Sequence, residues 1–475
     1  MRRGFEQTIE GWWQSQDPRP LLIRGARRIG KTYTAEEVGR RLAGDGFVKL
    51  DFQTDLDLIA PLFDGPTNDV DAIMSRVADY KRVRLSKETA FVLFDEVQLC
   101  ERALNSLRFF SGSGWRICGT GSQLGVATRR RRLPFPSGVR QETMHPMTFE
   151  EFLWAMGEEQ MADSIRSHAL NLEPYPAHQE ALRLFRLYQV VGGMPAAVSA
   201  YVASRSIDDC RVQQREVDQT YTADMTDPEN GISGLAARKL WRSIPAQLLR
   251  SSTKKFKYSE VERGGRRAKL IEPLDWLEGA GITSVNNMTS CIAAPLVPYD
   301  DEEGSFFKVY LADTGIMFYK LAVNPRLWLD ALASGTSAAS ASAPAPSAPV
   351  APVASSDFRG ALAENSVMQA LVSNDLQTYY WTPPSSWKTT GELDFLLQTD
   401  RLEVIPLEVK SARNVRAKTL ATFMEKSGAP YAYLLSQEDF GKTTTPNGRE
   451  VRHLPLYAAF CIGSEAGRHL VQADP

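Results

Sequence analysis

The sequence predicts an α/β protein whose N-terminal part is built on a parallel sheet. A short apolar run at 20–23 leads into a glycine-containing turn at 24–32, and helix-forming residues follow. A second apolar run, at 89–94, ends in Asp95 and Glu96. Continuous apolar runs are typical of parallel strands buried on both faces, and ligands bind at the carboxyl ends of such strands. Both turns are therefore expected at the binding edge of the sheet.

The first turn has the spacing G-x-x-x-x-G-K-[ST], with Gly25, Gly30, Lys31 and Thr32 at the fixed positions. The glycines let successive backbone N–H groups point at phosphate oxygens, at the positive end of the following helix. Lys31 would reach the β- and γ-phosphates as a catalytic group, and the Thr32 hydroxyl would bind Mg²⁺. The predicted nucleotide-binding residues are Gly25, Ala26, Arg27, Arg28, Ile29, Gly30, Lys31, Thr32 and Tyr33.

The acids after the second run predict the rest of a hydrolytic site. Asp95 is placed to hold Mg²⁺, and Glu96 to polarise the water that attacks the γ-phosphate. The alternative is a strand that runs into an acidic surface turn. With the phosphate loop about 65 residues earlier, we expect this part to bind ATP or GTP with Mg²⁺ and to hydrolyse it.

A third strand-like run, 115–121, ends in a polar turn at Ser122. A hydroxyl at that strand end can sense the γ-phosphate or orient the attacking water, so Ser122 is a further candidate catalytic residue. The alternative is a plain Gly-Ser turn. Four arginines follow at 129–132, and three interpretations stay open for them: a solvated loop, a finger that acts on a neighbouring subunit's nucleotide, or a grip on a phosphodiester backbone.

Composition sets further bounds. The chain has 475 residues, of which 43% are hydrophobic, and a formal net charge of −2. This length predicts two to four domains, and the charge gives no overall attraction to nucleic acid. Five scattered cysteines predict free, mostly buried thiols and a cytoplasmic location. Neither a signal peptide nor an apolar segment of membrane-spanning length is recognised, so no membrane is expected.

The middle of the chain is expected to be helical. In the motif at 147–153, Thr148 is the predicted N-cap of a helix, with Glu151 three residues on. A basic stretch at 254–269 precedes a helical pattern and a strand at 306–311. This order fits a winged helix-turn-helix that contacts DNA, or a helical bundle with a solvated basic face.

Residues 334–357 are almost entirely Ala, Ser and Pro, a composition that cannot bury a core. They predict a linker, followed by a separable domain.

Two strands with opposing charges are predicted in that last domain, at 391–397 and 405–411. The period of a strand puts Glu408 and Lys410 on one face, where Asp394 can lie opposite them. Glu364 from the preceding helix would complete a Mg²⁺ site made of Glu364, Asp394 and Glu408. In this site Glu408 and Lys410 would catalyse water attack on a phosphodiester. The alternative is an edge hairpin with ordinary cross-strand ion pairs.

Together these motifs resemble the prokaryotic AAA-type ATPases fused to DUF4143. Further stretches that carry the resemblance are Pro146–Phe152, Gly192–Pro195 and Lys308–Gly315. The resemblance implies a P-loop AAA-type parallel-sheet core, a helical and winged-helix middle region and a restriction-endonuclease-like PD-(D/E)xK α/β domain. The expected divisions are 1–200, 201–333, the linker 334–357, and 358–475. In the resembling family a Gly-Arg pair supplies a nucleotide-sensing arginine at this position. Here the corresponding residues are Gly138-Val139-Arg140, which departs from that pair.

The expected function is that of a cytoplasmic ATPase coupled to a DNA-binding, nuclease-like module. The alternative is a nucleotide-switched scaffold that binds a protein partner or a second copy of the chain, with a nuclease fold that is catalytically silent. Metal dependence separates a nuclease from a scaffold. Stimulation of the ATPase by DNA favours a module that binds or cleaves DNA over the scaffold.

Overall fold

The computed structural model describes residues 1–122, 137–250, 254–299, 306–330, 355–384, 391–411 and 418–463. The arginine run at 129–132 and most of the Ala/Ser/Pro segment lie outside the described residues. The chain divides into two compact units. The first consists of Met1–Pro146, Tyr221–Gly234 and Asp275–Ile282, and the second of Met147–Thr220, Leu235–Leu274 and the chain from Thr283.

The first unit contains a five-stranded parallel sheet, as the sequence predicts, with strand order β2-β3-β4-β1-β5. The strands are β1 Leu21–Arg24, β2 Phe47–Asp51, β3 Phe91–Asp95, β4 Arg116–Thr120 and β5 Arg140–Thr143. Helices run over Phe5–Gln14, Lys31–Ala43, Leu56–Ile59, Val70–Lys81 and Glu101–Phe110. Every residue of β3 is buried, which explains its continuous apolar run.

Strand order determines what meets at the binding edge. Because β4 lies between β1 and β3, its carboxyl end brings Ser122 between the phosphate loop and Asp95. Arg140 lies elsewhere: it pairs with Leu21 at the start of β1, at the opposite edge of the sheet, and its side chain binds Glu142 at 2.8 Å. Arg140 therefore does not reach the nucleotide edge.

The other helices alternate with short turns, as the middle of the sequence predicts. They run over Phe149–Met156, Glu159–Asn171, His178–Val191, Pro195–Ser204, Ile207–Thr226, Gly234–Arg250, Tyr258–Val261, Arg267–Gly279, Thr314–Lys320, Pro325–Asp330, Ser356–Ser373 and Lys418–Ser427. The predicted cap at Thr148 is confirmed: its hydroxyl accepts the Glu151 N–H at 3.3 Å, and the Glu151 carboxylate accepts the Thr148 N–H at 2.9 Å.

Two glycine motifs of the second unit meet at Asp313. Its carboxylate accepts the Gly193 N–H at 2.5 Å and the N–H of Ile316 at 2.8 Å, which caps the helix Thr314–Lys320. A Cβ on Gly193 would lie 2.1 Å from the Met147 carbonyl oxygen. Only a residue without a side chain fits this backbone crossing.

The second unit contains an eight-stranded mixed sheet with the order β12-β13-β11-β10-β9-β8-β6-β7. Its strands are β6 Thr283–Thr289, β7 Phe307–Leu311, β8 Tyr379–Trp381, β9 Leu393–Gln398, β10 Val404–Val409, β11 Tyr431–Ser436, β12 Gly441–Thr444 and β13 Glu450–Pro455.

This sheet differs from the expected division of the chain. The strand expected at 306–311 forms the hairpin β6–β7, and this hairpin continues the sheet because β6 pairs with β8 in parallel, Asn287 opposite Tyr379. Strands from before and after 334–357 therefore share one sheet, and this segment does not separate two folds. The composition of the segment shows only that it buries no core of its own; it carries no information on which distant strands pair.

The cysteines are free, as predicted, and all but Cys291 are buried. Among the helices of the described residues, none combines the length and the apolar character needed to cross a bilayer.

Candidate nucleotide site and acidic cluster

The phosphate loop has the backbone that its glycines predict. Gly25 has φ +131° and Gly30 has φ +92°, both in the left-handed region. A Cβ on Gly25 would lie 2.1 Å from the Met144 carbonyl oxygen. Lys31 starts the next helix, and its buried ammonium donates to the carbonyl oxygens of Gly25 at 3.0 Å and Ala26 at 2.7 Å. The loop is thus folded around this ammonium group.

Burial lowers the pKa of Lys31 to about 8, although the carboxylates of Glu96 and Asp95 act in the opposite direction. Arg3 stabilises the loop from the N-terminal side, where its guanidinium donates to the carbonyl oxygens of Ile29 and His145, both at 2.7 Å. No local pattern points to Arg3, because its partners are 26 and 142 residues away.

Asp95 is buried at the end of β3 and accepts two hydroxyl hydrogen bonds at 2.6 Å, from Thr32 and from Thr120. The Lys49 ammonium lies 3.1 Å from its second oxygen. A hydroxyl and a carboxylate are the hard oxygen ligands that Mg²⁺ prefers. The residues present therefore fit the metal predicted at Thr32 and Asp95. The contacts of Thr120 and Lys49 with Asp95 were not predicted from the sequence.

Glu96 has a left-handed backbone, with φ +53°. One oxygen of its carboxylate accepts the Ser122 N–H at 3.2 Å, the Ser122 hydroxyl at 2.9 Å and the Gln98 amide at 2.5 Å. The structure thus places Ser122 directly on the predicted base, where it fixes the orientation of that carboxylate.

Arg27, inside the loop, connects to the helix Ile207–Thr226. Its guanidinium lies 2.7 Å from the Asp224 carboxylate and 3.3 Å from the Ser122 hydroxyl, and its carbonyl accepts the Tyr221 hydroxyl at 3.1 Å. Tyr33, by contrast, is 58% exposed. A small cavity beside the loop is lined by Arg27, Ser122, Tyr221, Asp224, Trp276, Ala280 and Ile282.

The second predicted site lies where β9 and β10 pair as antiparallel strands. The Asp394 carboxylate accepts the Val409 N–H at 2.9 Å, and the Lys410 ammonium lies 2.5 Å from Glu408. Glu364 comes from the helix Ser356–Ser373 and is buried. We call Glu364, Glu392, Asp394 and Glu408 the acidic cluster.

Lys308 on β7 lies within this cluster, although the sequence did not single it out as a site residue. Its side chain is 2% exposed, and its ammonium is 3.8 Å from Glu364, 3.8 Å from Asp394 and 3.9 Å from Glu392. The signal available in the sequence was the pattern of β7 itself, where a lysine interrupts an otherwise apolar strand that is buried throughout.

Two more lysines reach the cluster from the basic stretch at 254–269. Lys254 contacts Glu364 directly, and Lys255 lies 2.6 Å from Glu392. The sequence predicts either a DNA-contacting patch or a solvated basic face for this stretch, but these two side chains are partners of carboxylates. Its arginines, Arg263, Arg266 and Arg267, are exposed.

The charges of the cluster determine its titration. Burial, and then the neighbouring Asp394, raise the pKa of Glu408 to about 8. Burial would also raise the pKa of Glu364, but Lys254 and Lys308 outweigh it and lower that pKa. Burial opposes the charge of Lys308, yet Glu364 and Asp394 raise its pKa. Lys308 is therefore a cation held by anions.

A divalent ion does not fit this arrangement. Mg²⁺ requires oxygen ligands at roughly 2.0–2.1 Å, whereas the three carboxylates surround an ammonium at 3.8–3.9 Å. In the described part of the chain, no three His, Cys, Asp or Glu side chains form a group that could hold a metal. Glu364, Asp394 and Glu408 come together as predicted, but around lysines. The prediction of a metal site there is corrected accordingly.

The sheet order, the glycine loop and the contact between Thr32 and Asp95 give the first unit an arrangement that is typical of P-loop proteins of the AAA type. The family comparison agrees: the model of an AAA domain matches residues 17–153. Two domains of unknown function also match, DUF8612 at 182–327 and DUF4143 at 359–457. The AAA match in the N-terminal part and the DUF4143 match in the C-terminal part follow the order that the resemblance predicts.

A comparison with curated proteins found no match. Among solved structures, the chain is similar to Cdc6p from Pyrobaculum aerophilum. The identity is 14%, the match covers 60% of this chain and 89% of that one, and the TM-score is 0.23.

Proposed function

We propose that the first unit binds ATP with Mg²⁺ and hydrolyses it. The observation that carries this proposal is the 2.6 Å contact between the Thr32 hydroxyl and the Asp95 carboxylate. It joins the phosphate loop to the end of β3, with Glu96 as the next residue.

Each of these residues has a distinct role. Lys31, whose ammonium now binds two loop carbonyls, exchanges them for the β- and γ-phosphate oxygens. Thr32 and Asp95 would hold Mg²⁺, directly or through water. When bound, this ion would neutralise negative charge on the phosphates and on the ADP leaving group. Glu96 orients the attacking water, and Ser122 fixes the carboxylate of Glu96.

The test is Mg²⁺-dependent phosphate release by the full chain. Glu96→Gln keeps the shape of the side chain but removes the charge that polarises water. We expect this variant to bind ATP as the wild type does and to hydrolyse it about 10²–10⁴-fold more slowly, the usual contribution of a positioned acid or base.

For the second unit we propose a module that binds a partner under control of the nucleotide. Of the two alternatives from the sequence, the lysines in the acidic cluster favour the silent nuclease fold over a cutting one, because they neutralise the carboxylates that cleavage would need. DNA and protein remain alternative partners. Stimulation of phosphate release by DNA supports the first, and its absence supports a protein partner or a second copy of the chain.

A further inference from the structure

We propose that Lys308 takes the place of a divalent cation in the acidic cluster, so that this site binds neither Mg²⁺ nor Mn²⁺. The inference deepens the proposed role of the second unit as a binding module. It does not depend on whether the first unit hydrolyses ATP.

The first argument is geometric. The Lys308 ammonium is nearly equidistant from oxygens of Glu364, Asp394 and Glu392, at 3.8, 3.8 and 3.9 Å. This central position among carboxylates is the one that a shared metal ion takes. For Mg²⁺ each oxygen would have to move inward by roughly 1.7 Å, and the lysine side chain would have to leave.

The second argument is charge balance. Four carboxyl groups meet four ammonium groups, so that the negative charges do not outnumber the positive ones even when every carboxyl group is ionised: Glu364, Glu392, Asp394 and Glu408 against Lys254, Lys255, Lys308 and Lys410. A divalent ion would add two positive charges to groups that are mostly buried. Buried charge is costly unless it is paired. The cluster therefore has no excess negative charge with which to attract a metal.

The third argument is that Lys308 is held in place. Its backbone belongs to β7 and lies opposite Asn286 of β6. Its side chain is 2% exposed, and its ammonium lies 5.1 Å from the centre of the Tyr380 ring, within the range of a cation–π contact. To leave the cluster, the ammonium would give up all these partners.

The arrangement also connects distant parts of the sequence. Lys308 precedes the Ala/Ser/Pro segment, whereas Glu364 and Asp394 follow it. The ion pairs therefore add to the strand pairing that joins the segments before and after 334–357 into one fold. In this role the four carboxylates stabilise the fold, and the site holds no metal that could act on a phosphodiester.

The experiment is a Mn²⁺ titration of the nucleotide-free full chain, followed by electron paramagnetic resonance. The chains compared are the wild type, Lys308→Met, Asp394→Asn, the double variant Lys308→Met/Asp394→Asn and the control Lys320→Met. The side chain of Lys320 is also mostly shielded, at 11% exposed, but it pairs with Asp218, outside the cluster. Circular dichroism verifies the fold of each chain.

We expect no Mn²⁺ at the cluster of the wild type or of Lys320→Met. Lys308→Met removes the positive charge at the centre of the cluster and should bind Mn²⁺ at least about tenfold more tightly than the wild type. The double variant should lose that gain.

Two outcomes would overturn the proposal. One is Mn²⁺ binding by the wild type that Asp394→Asn removes. The other is a folded Lys308→Met chain that binds no more Mn²⁺ than the wild type. Should Lys308→Met not fold, the comparison of the wild type with Asp394→Asn decides: equal and negligible binding supports the proposal, and binding lost in the variant overturns it. Since the titration contains no nucleotide, failure of the ATPase proposal would not affect it.

Discussion

Raising the pH from 7 to 9 should weaken nucleotide binding, because it removes the proton of Lys31. Burial lowers the pKa of this group to about 8. The protonated fraction is then about nine-tenths at pH 7, about one-half at pH 8 and about one-tenth at pH 9. Only the protonated form attracts the phosphates, whose own charge changes near pH 6, below this range. We therefore expect the affinity to fall as the pH rises through 8.

The magnitude follows from the two protonated fractions. If the neutral amine contributes no binding, Kd rises about tenfold between pH 7 and pH 9, which is about 1.4 kcal/mol. The assay is fluorescence anisotropy with a labelled, non-hydrolysable ATP analogue and EDTA, so that Mg²⁺ does not contribute.

The matched control is Lys31→Arg, because an arginine stays charged over the whole range. Its guanidinium is larger than an ammonium, so this variant should bind the analogue no more tightly than the wild type. Its Kd should be independent of pH. A wild-type Kd that is constant from pH 7 to 9 would refute the reasoning. An equal pH dependence in Lys31→Arg would refute it too.

Two further predictions concern the backbone crossing of the second unit. Gly193→Ala puts a Cβ 2.1 Å from the Met147 carbonyl oxygen. It should lower the free energy of unfolding, measured by urea denaturation, by roughly 3 kcal/mol or more. A loss below about 1 kcal/mol would contradict the close backbone approach at this position. Burial raises the pKa of Asp313 from 3.8 to about 6, so its stabilising contribution is complete below pH 3.8 and is lost as the pH rises through 6. The wild type should therefore lose up to about 3 kcal/mol relative to Asp313→Asn between pH 4 and 7, and a constant difference between the two chains would contradict this.

The local features of the first unit were predictable from the sequence. The glycine loop and β3, like the capping box at Thr148 in the second unit, each depend on residues that are neighbours in the chain, and their spacing carries the information. The meeting of Ser122 with Glu96 depends also on β4 lying between β1 and β3, which no single segment encodes.

The features that the sequence missed depend on distant pairs. Lys308 was expected only in a strand, since its carboxylate partners lie 56 to 86 residues further along. The sequence predicts a basic surface at Lys254 and Lys255. Their carboxylate partners, Glu364 and Glu392, lie more than 100 residues further along, so no local pattern indicates these ion pairs. The composition of 334–357 likewise predicted a domain boundary where the strands on either side join one sheet.

Steady-state phosphate release, with ATP binding measured in parallel, tests the central claim most directly. The wild type, Glu96→Gln and the control Glu101→Gln, an exposed acid five residues away, should all bind ATP alike. Only the wild type and Glu101→Gln should release phosphate at a substantial rate, and only with Mg²⁺. Equal rates in all three chains, or no hydrolysis by a wild type that binds ATP, would contradict the account.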